Sequence, residues 1–239
     1  MFLRFLGRGA ALNPLLGNTS AFFSEDDRLL LLDCGESVFE RLVKSGALEC
    51  VRHVYAAISH LHSDHCGSLG SLAFYLRYAL ECELTLLTPP DDEYVDQLSA
   101  LLNLFGVPGD SYRFLAADRL DAFRGVTGLR FVPSPHQKGM LCWSFALDTP
   151  DGAVFYTADT CSADNITAFI RDHRDILAIY SEVTGRGYPG CVHLPLDTLA
   201  DAVPPALRAK TYLMHCDDEE TVQRGILLGF QAVQTEALS

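Results

Sequence analysis

The sequence predicts an α/β fold of four layers, in which two β-sheets pack against each other and helices cover both outer faces, an αββα sandwich. Short apolar or alternating segments recur along the chain, and segments of helical periodicity are interspersed among them. Hydrophobic residues make up 49% of the 239 positions, enough for a sizeable core. Because no repeat, low-complexity tract or linker divides the chain, we expect residues 1–239 to form a single domain.

The predicted strands are short apolar or β-branched runs that are bounded by turn residues. These runs are Phe2–Leu6, Ser20–Phe23, Leu29–Asp33, Val54–Ser59, Leu84–Leu87, Leu129–Pro133, Trp143–Leu147, Ala153–Thr157, Ile176–Tyr180 and Thr211–Met214. The predicted helices are segments whose apolar residues recur at helical spacing. These segments are Glu36–Lys44, Ser68–Leu80, Asp91–Phe105, Asn165–Arg171, Leu196–Ala202 and Glu219–Leu228. Strands dominate the beginning of each half of the chain, as expected for two packed sheets with helices outside.

The composition indicates where the protein is located and which classes of partner it can bind. No apolar run reaches membrane-spanning length and the N-terminus does not resemble a secretory signal, so we expect a cytoplasmic protein that does not enter a membrane. The eight cysteines form no C-x-x-C pair, which predicts reduced and mostly buried thiols. The formal net charge of −13 argues against a non-specific binder of polyanions. It does not exclude a phosphate-bearing substrate, because bound cations would make a pocket locally positive.

The densest cluster of chemically active side chains lies between a predicted strand and a predicted helix. Residues 60–65 read HLHSDH and contain four side chains of the types that bind zinc, iron or manganese: His60, His62, Asp64 and His65. Three further candidates lie at the ends of predicted strands: His136, Asp159 and His215. Because strand ends at one edge of a sheet hold loops rigidly, we expect these side chains to converge on one site.

These residues resemble the five sequence motifs of the metallo-β-lactamase superfamily, and the resemblance runs through nearly the whole chain. The matching positions, in order, are Asp33, the run His60–His65, His136, Asp159 and His215. The resemblance implies a metallo-β-lactamase-type αββα domain and a hydrolase that holds two divalent metal ions. It assigns His60, His62 and His136 to one ion, Asp64, His65 and His215 to the other, and Asp159 to both. It also implies that Asp33 orients a liganding histidine.

The implied cofactors are two Zn²⁺ ions, although the same ligands also accept Mn²⁺ or Fe²⁺. Two cations that share a water stabilise its hydroxide form, which supplies a nucleophile at neutral pH. The resemblance therefore implies hydrolysis by a metal-bridging hydroxide, with Asp64 also handling the proton of that hydroxide. Asp159 stands where β-lactamases often have a cysteine, which argues against a lactamase, and we expect the neighbouring Cys161 to be structural.

A further resemblance favours phosphodiester hydrolysis. Residues 181–184 read SEVT and His193 follows them, which is similar to the His-Glu-Ala-Thr element and downstream histidine of ribonuclease Z and its relatives. In that branch the glutamate orients the histidine, which protonates the leaving oxygen or stabilises the phosphate. The resemblance implies that Glu182 and His193 are catalytic. The first position of the element is Ser181 here instead of histidine, and the glycine-containing loop at residues 6–13 is also similar to that branch.

One departure separates the chain from bacterial transfer-RNA processors, which usually carry a long arm between the third and fourth motifs. Only 23 positions separate His136 from Asp159, which leaves no room for an arm. We therefore expect a small cyclic or nucleotide phosphodiester at least as readily as an RNA end. The basic residues best placed to meet phosphate are Arg8, Lys138 and Arg186. Relatives are often dimers, so the resemblance also implies a homodimer.

The main alternative is an acyl hydrolase, such as a thioesterase or lactonase, that uses the same metal site without the Glu182–His193 pair. A non-hydrolytic sensor would be expected to have lost a ligand, and a di-iron oxidoreductase would need a flavin module from a partner protein. Tyr188 is a candidate substrate contact, and Trp143 is expected in the core. We expect the two remaining histidines, His53 and His173, to be ordinary solvated residues.

Overall fold

Two mixed β-sheets of six strands each form the centre of the computed structural model, which describes residues 2–238. The first sheet contains β1 (Arg4–Gly7), β2 (Ser20–Glu25), β3 (Arg28–Leu32), β4 (His53–Ala57), β5 (Glu83–Thr88) and β6 (Arg113–Ala116). The second contains β7 (Gly128–Pro133), β8 (Trp143–Thr149), β9 (Gly152–Tyr156), β10 (Ile176–Val183), β11 (Thr211–Cys216) and β12 (Gln231–Ala232). Strands that are neighbours in a sheet are also consecutive in sequence.

The helices connect the strands. They are α1 (Val38–Lys44), α2 (Ser63–Cys66), α3 (Leu69–Tyr75), α4 (Asp92–Leu104), α5 (Asp164–Asp172), α6 (Leu196–Ala202), α7 (Pro205–Arg208) and α8 (Glu219–Leu227). A π-helical turn at Leu76–Leu80 follows α3, and a 3₁₀ turn covers Ala117–Arg119. Within residues 2–238, none of the helices combines the length and the apolar character that crossing a bilayer requires.

Each sheet begins with antiparallel strands and continues with parallel ones. Strands β1 to β3 and β7 to β9 pair antiparallel, whereas β3 to β6 and β9 to β12 pair parallel. Parallel neighbours need crossover connections, and the helices supply them. Because parallel strands all end at the same edge of their sheet, the loops that follow them lie side by side.

The core confirms the predicted layers. Tyr156 and Tyr180 belong to the apolar cluster between the two sheets, and the ring of Phe5 lies 5.2 Å from that of Tyr180. Their neighbours Phe155 and Ile179 face the other way and pack in a second cluster with apolar residues of α5, α6 and α8. This alternation is the two-residue period of a strand that is buried on both faces.

The predicted elements are confirmed, apart from their ends and several short segments. The sequence did not predict β6, β12, α2 and α7, which have four residues or fewer and are too short to show a periodicity. The predicted ends of β10 at Tyr180 and of β11 at Met214 were also wrong. These strands run on to Val183 and Cys216, through polar and ionisable residues that interrupt the apolar pattern.

The cysteines agree with the prediction of reduced and mostly buried thiols. All eight are free. Five of them are buried: Cys34, Cys66, Cys82, Cys142 and Cys216. Burial raises the pKa of the Cys34 thiol to about 12, which keeps it protonated and unreactive at neutral pH.

Tyr180 anchors the N-terminal segment to the second sheet. Its hydroxyl accepts hydrogen bonds from the backbone amides of Phe2 and Leu3, both at 2.9 Å, and its side chain is completely buried. These bonds give partners to two amides that precede β1 and would otherwise have none in the strand ladder.

Replacing Tyr180 with phenylalanine keeps the ring and removes the acceptor of both bonds. We expect the free energy of unfolding to fall by about 1–3 kcal/mol, because a buried amide without a partner costs that much. Denaturant unfolding followed by circular dichroism measures the change. Tyr188→Phe is the control, since that ring is 62% exposed. An equal loss in both variants would contradict the role assigned to Tyr180.

Candidate metal centre

The predicted site residues meet at the carboxyl edges of the two sheets. His60 follows β4, His136 follows β7 and Asp159 follows β9, as the sequence predicted. The prediction that His215 also follows its strand was wrong, because β11 continues through it to Cys216. The loops of one sheet thus face those of the other across a single buried cluster.

The backbone around this cluster adopts left-handed conformations that non-glycine residues rarely adopt. The φ angle is +64° at Asp33, +49° at Ala158 and +51° at His215. Each of these residues lies at or near the carboxyl end of a parallel strand, namely β3, β9 and β11. Such conformations cost of order 1–3 kcal/mol each and concentrate at functional sites. At Asp33 and Ala158 they follow the last strand residue, whereas His215 lies at a register shift inside β11, which continues to Cys216.

A first group of possible ligands contains His60, His62, His136 and Asp159. One ligand atom from each lies within 4.8 Å of those of the others. The Nδ1 atom of His62 is 2.9 Å from Nε2 of His60 and 3.3 Å from Nε2 of His136. Three imidazole nitrogens and a carboxylate oxygen that converge in this way form the ligand set of a divalent transition metal.

A second group contains Asp64, His65, His215 and, again, Asp159. The Oδ2 atom of Asp64 is 3.2 Å from Nε2 of both His65 and His215. Asp159 directs its two oxygens to different groups: Oδ1 is 3.2 Å from His65 Nε2, and Oδ2 is 3.6 Å from His136 Nε2. A carboxylate in this position is able to bridge two cations.

Residues behind the ligands fix their rings. Asp33 accepts hydrogen bonds from Nδ1 of His65 at 2.9 Å and from the amide of Ser59 at 2.7 Å. The structure thus supports the predicted role of Asp33, because the bond leaves Nε2 of His65 facing the cluster. On the other side, Nδ1 of His136 donates to the carbonyl oxygen of Val192 at 2.8 Å.

Electrostatics differ between the two groups. Burial lowers the pKa of His60 and of His136, which keeps both rings neutral and ready to bind a cation. Burial also lowers the pKa of His65 and His215, but nearby carboxylates outweigh it. Asp159 and Asp33 raise the pKa of His65, and Asp159 with Asp64 raises that of His215 to about 10. Binding a cation in the second group therefore releases protons from these rings.

The buried charge and the unpaired polar atoms fit divalent cations. Four carboxylates of the site have at most 5% of their surface exposed: Asp33, Asp64, Asp159 and Glu182. Within residues 2–238, no lysine or arginine forms an ion pair with any of them. Nε2 of His65 and Oδ1 of Asp159 are buried and lie 3.2 Å apart, yet neither forms a hydrogen bond with the described residues. Buried charges need a partner or a metal ion, so the donor set calls for bound cations.

The structure also brings together Glu182 and His193, beside the second group. Nδ1 of His193 donates to Oε2 of Glu182 at 2.8 Å and lies 3.7 Å from Asp159. Glu182 is fully buried within β10, where its other oxygen accepts a bond from the backbone amide of Thr160. This second bond holds the carboxylate in one orientation, so the position of His193 is defined as well.

The three basic residues that were predicted to meet phosphate differ in whether they already form an ion pair. Arg8 forms an ion pair with Glu219 at 2.9 Å, so its charge is already engaged. Lys138 and Arg186 are exposed and form no ion pair with any of residues 2–238. Tyr188 is 62% exposed in the loop before His193, where the sequence placed a substrate contact.

The remaining predictions concern a tryptophan, a cysteine and two histidines. Trp143 is in the core, and Cys161 is exposed and belongs to neither ligand group. The prediction that His53 is solvated was wrong, because only 14% of its side chain is exposed and its ring stacks on Tyr55 at 4.1 Å. The same prediction was wrong for His173, which is half-buried at the C-terminal end of α5 with its ring stacked on Phe169 at 4.2 Å; it belongs to none of the ligand groups. The sequence did not predict that Ser59 and Gln137 contact histidines of the site. The one available signal was that each of them is adjacent in sequence to a predicted ligand, His60 or His136.

Comparison with known proteins identifies the family. The sequence model of the Anti-Pycsar protein Apyc1 family matches residues 1–104 and 111–234. The chain belongs to this family. The Anti-Pycsar protein Apyc1 of Paenibacillus harenae is 26% identical over 230 residues, which cover 91% of this chain and 90% of that protein.

Two further similarities concern the fold and part of the sequence. Ribonuclease Z of Bacteroides fragilis is 36% identical over 106 residues, 43% of this chain and 34% of that protein. The crystal structure of the metallo-beta-lactamase fold protein YhfI from Bacillus subtilis superposes with a TM-score of 0.77 at 17% identity, covering 99% of this chain and 97% of that one. The Apyc1-family chain thus has the metallo-β-lactamase fold and is a metal-dependent hydrolase.

Adding Zn²⁺ to chelator-treated protein should raise its melting temperature. A ligand that binds only the folded state stabilises it by about 2.7 kcal/mol at a hundredfold excess over its dissociation constant. Differential scanning calorimetry measures the shift. Asp159→Asn should lose most of it, because both groups share that carboxylate, whereas the exposed Asp96→Asn should retain it. Equal shifts in both variants would show that zinc binds elsewhere.

Asp33→Asn should weaken metal binding without removing a ligand. The amide keeps the size of the side chain but cannot accept from both His65 and Ser59 in the same way. We expect the affinity to fall by about 10–100-fold, as is typical when a group behind a liganding histidine is changed. Competition with a fluorescent chelator measures it, again with Asp96→Asn as control. An unchanged affinity would mean that Asp33 does not position His65.

Proposed function

We propose that the chain hydrolyses a small cyclic or nucleotide phosphodiester, or an RNA end, with two divalent metal ions, of which Zn²⁺ suits the ligands best. The proposed ligands are His60, His62 and His136 for one ion, Asp64, His65 and His215 for the other, and Asp159 for both. The main support for phosphodiester hydrolysis is the Glu182–His193 pair beside Asp159. An acyl hydrolase would not need this pair.

The roles of the protein residues follow from their contacts. When bound, the ions would supply an activated water and positive charge against the phosphate oxygens. Asp33 and the carbonyl of Val192 hold the rings of His65 and His136 with Nε2 toward the site. Asp64, next to both histidines of the second group, would take up the proton of that water.

His193 is proposed to protonate the leaving oxygen. Its Nδ1 is bound to Glu182, so Nε2 is the atom that remains for the substrate. Burial lowers the pKa of His193, but the hydrogen bond and the charge of Glu182 outweigh it, and the pKa is raised. The raised pKa favours the protonated ring, which would donate from Nε2. Its side chain is 26% exposed, which gives a substrate access to it.

The connection between His136 and Asp159 favours a small substrate over transfer RNA. Strands β8 and β9 occupy it, so the segment carries no arm that could grip an RNA body. The net charge of −13 also disfavours a long polyanion. The homodimer, the single-domain organisation and the cytoplasmic location stay predictions.

His193→Ala tests the proposed reaction through its leaving group. A 3′,5′-cyclic nucleotide must expel an alkoxide, so the variant should lose about 10²–10⁴-fold in kcat with that substrate. The loss with bis(p-nitrophenyl) phosphate should be smaller, because p-nitrophenolate leaves without a proton. Steady-state kinetics at equal metal content measure both losses.

His173→Ala is the matched control and should keep the wild-type rates, since His173 lies away from the cluster. A metal-loaded wild type that cleaves a thioester or lactone and no phosphodiester would contradict the proposed function. Equal losses with both phosphodiesters in His193→Ala would contradict the role of proton donor.

A further inference from the structure

A cavity of about 160 Å³ opens beside the metal centre. Apolar, amide and basic side chains line it together: Leu61, Met140 and Leu141, then Gln97 and Gln137, and Lys138. Gln97 comes from α4, which follows β5, and the remaining residues come from the loops that carry the proposed ligands. The cavity thus lies at the carboxyl edge of the sheets, where α/β folds bind their ligands.

The cavity is joined to the metal centre through shared residues. Leu61 stands between the proposed ligands His60 and His62, and Gln137 directly follows His136. Nε2 of His62 is 3.2 Å from Oε1 of Gln137. A molecule whose phosphate lies at the ligand cluster can therefore extend into this open cavity on the side of His62 and His136.

The two amides present opposite hydrogen-bonding groups. His62 directs Nδ1 to the ligand cluster, so its Nε2 carries the proton and donates to the oxygen of Gln137. This leaves the amide nitrogen of Gln137 as a free donor. The nitrogen of Gln97 donates to Glu93 at 3.1 Å, which leaves the oxygen of Gln97 as a free acceptor. The cavity thus offers one donor and one acceptor.

This combination matches a nucleobase better than an alkyl or acyl group. A base has two apolar faces and an edge on which donors and acceptors alternate. Leu61, Met140 and Leu141 provide apolar contacts for the faces, and Gln97 and Gln137 provide partners for the edge. Lys138 has no ion-pair partner in the described part of the chain and is available to the negatively charged phosphate or the sugar.

We propose that this cavity binds the nucleobase of the substrate, with Gln97 and Gln137 hydrogen-bonding to the base edge. The inference rests on the proposed phosphodiesterase function and adds to it the part of the substrate that is recognised. It also makes Gln97, which belongs to α4 and to none of the proposed ligand groups, a residue that determines specificity.

Two esters with the same leaving group test this assignment: thymidine 5′-(p-nitrophenyl) phosphate and methyl p-nitrophenyl phosphate. Both release p-nitrophenolate, so their rates differ only through the nucleoside. Wild type should show the higher kcat/KM with the thymidine ester. Gln97→Ala should lower the ratio of the two kcat/KM values by about two- to tenfold, the worth of one hydrogen bond. Asn103→Ala removes an exposed amide elsewhere on α4 and should leave the ratio unchanged.

The possible outcomes distinguish a failure of the nucleobase subsite from a failure of the proposed phosphodiesterase function. A ratio that stays constant in Gln97→Ala, or a wild type without preference for the thymidine ester, would overturn the nucleobase subsite while phosphodiester cleavage stands. A metal-loaded wild type that cleaves neither ester would overturn the proposed function itself.

Discussion

Negative charge buried at one edge of the sheets is the constraint on which the site depends. Asp64, Asp159 and Glu182 are withdrawn from water, and no lysine or arginine among the described residues compensates them. Burying unpaired carboxylates costs several kcal/mol per group, which folding alone cannot offset easily. Histidines and bound cations are the remaining sources of positive charge. The stability of this edge and metal binding are therefore coupled, and the residues with left-handed backbone, Asp33 and His215, lie in the same cluster.

The cluster also joins the two sheets. The HLHSDH run and Asp33 come from the first sheet, whereas His136, Asp159 and His215 come from the second. The loop that carries His193 is tied to this junction at two points, through Glu182 and through the bond between Val192 and His136. A change in sheet packing would thus move the proposed metal ligands and the proposed proton donor together. This arrangement gives the reacting groups a rigid support, which catalysis by positioned charges requires.

The sequence was sufficient to predict which side chains the fold brings together in the cluster, because ionisable residues stand out at the ends of apolar strands. His60, Asp159 and their partners interrupt hydrophobic runs, and Asp33 closes one of them. The same property misled the prediction of strand ends, since Glu182 and His215 lie inside strands that looked finished. Uncharged residues such as Gln137 gave only the signal of standing beside a histidine, because their role depends on which side chain the fold places opposite them. His53 was misjudged for a similar reason: its burial comes from a neighbouring strand.

The central claim is that this cluster holds two divalent ions that share one carboxylate. A crystal of zinc-loaded protein, measured with anomalous scattering at the zinc edge, tests it most directly. The account predicts two anomalous peaks, one among His60, His62 and His136 and one among Asp64, His65 and His215, with Asp159 between them. No peak in the cluster, or a single ion that does not contact Asp159, would contradict it.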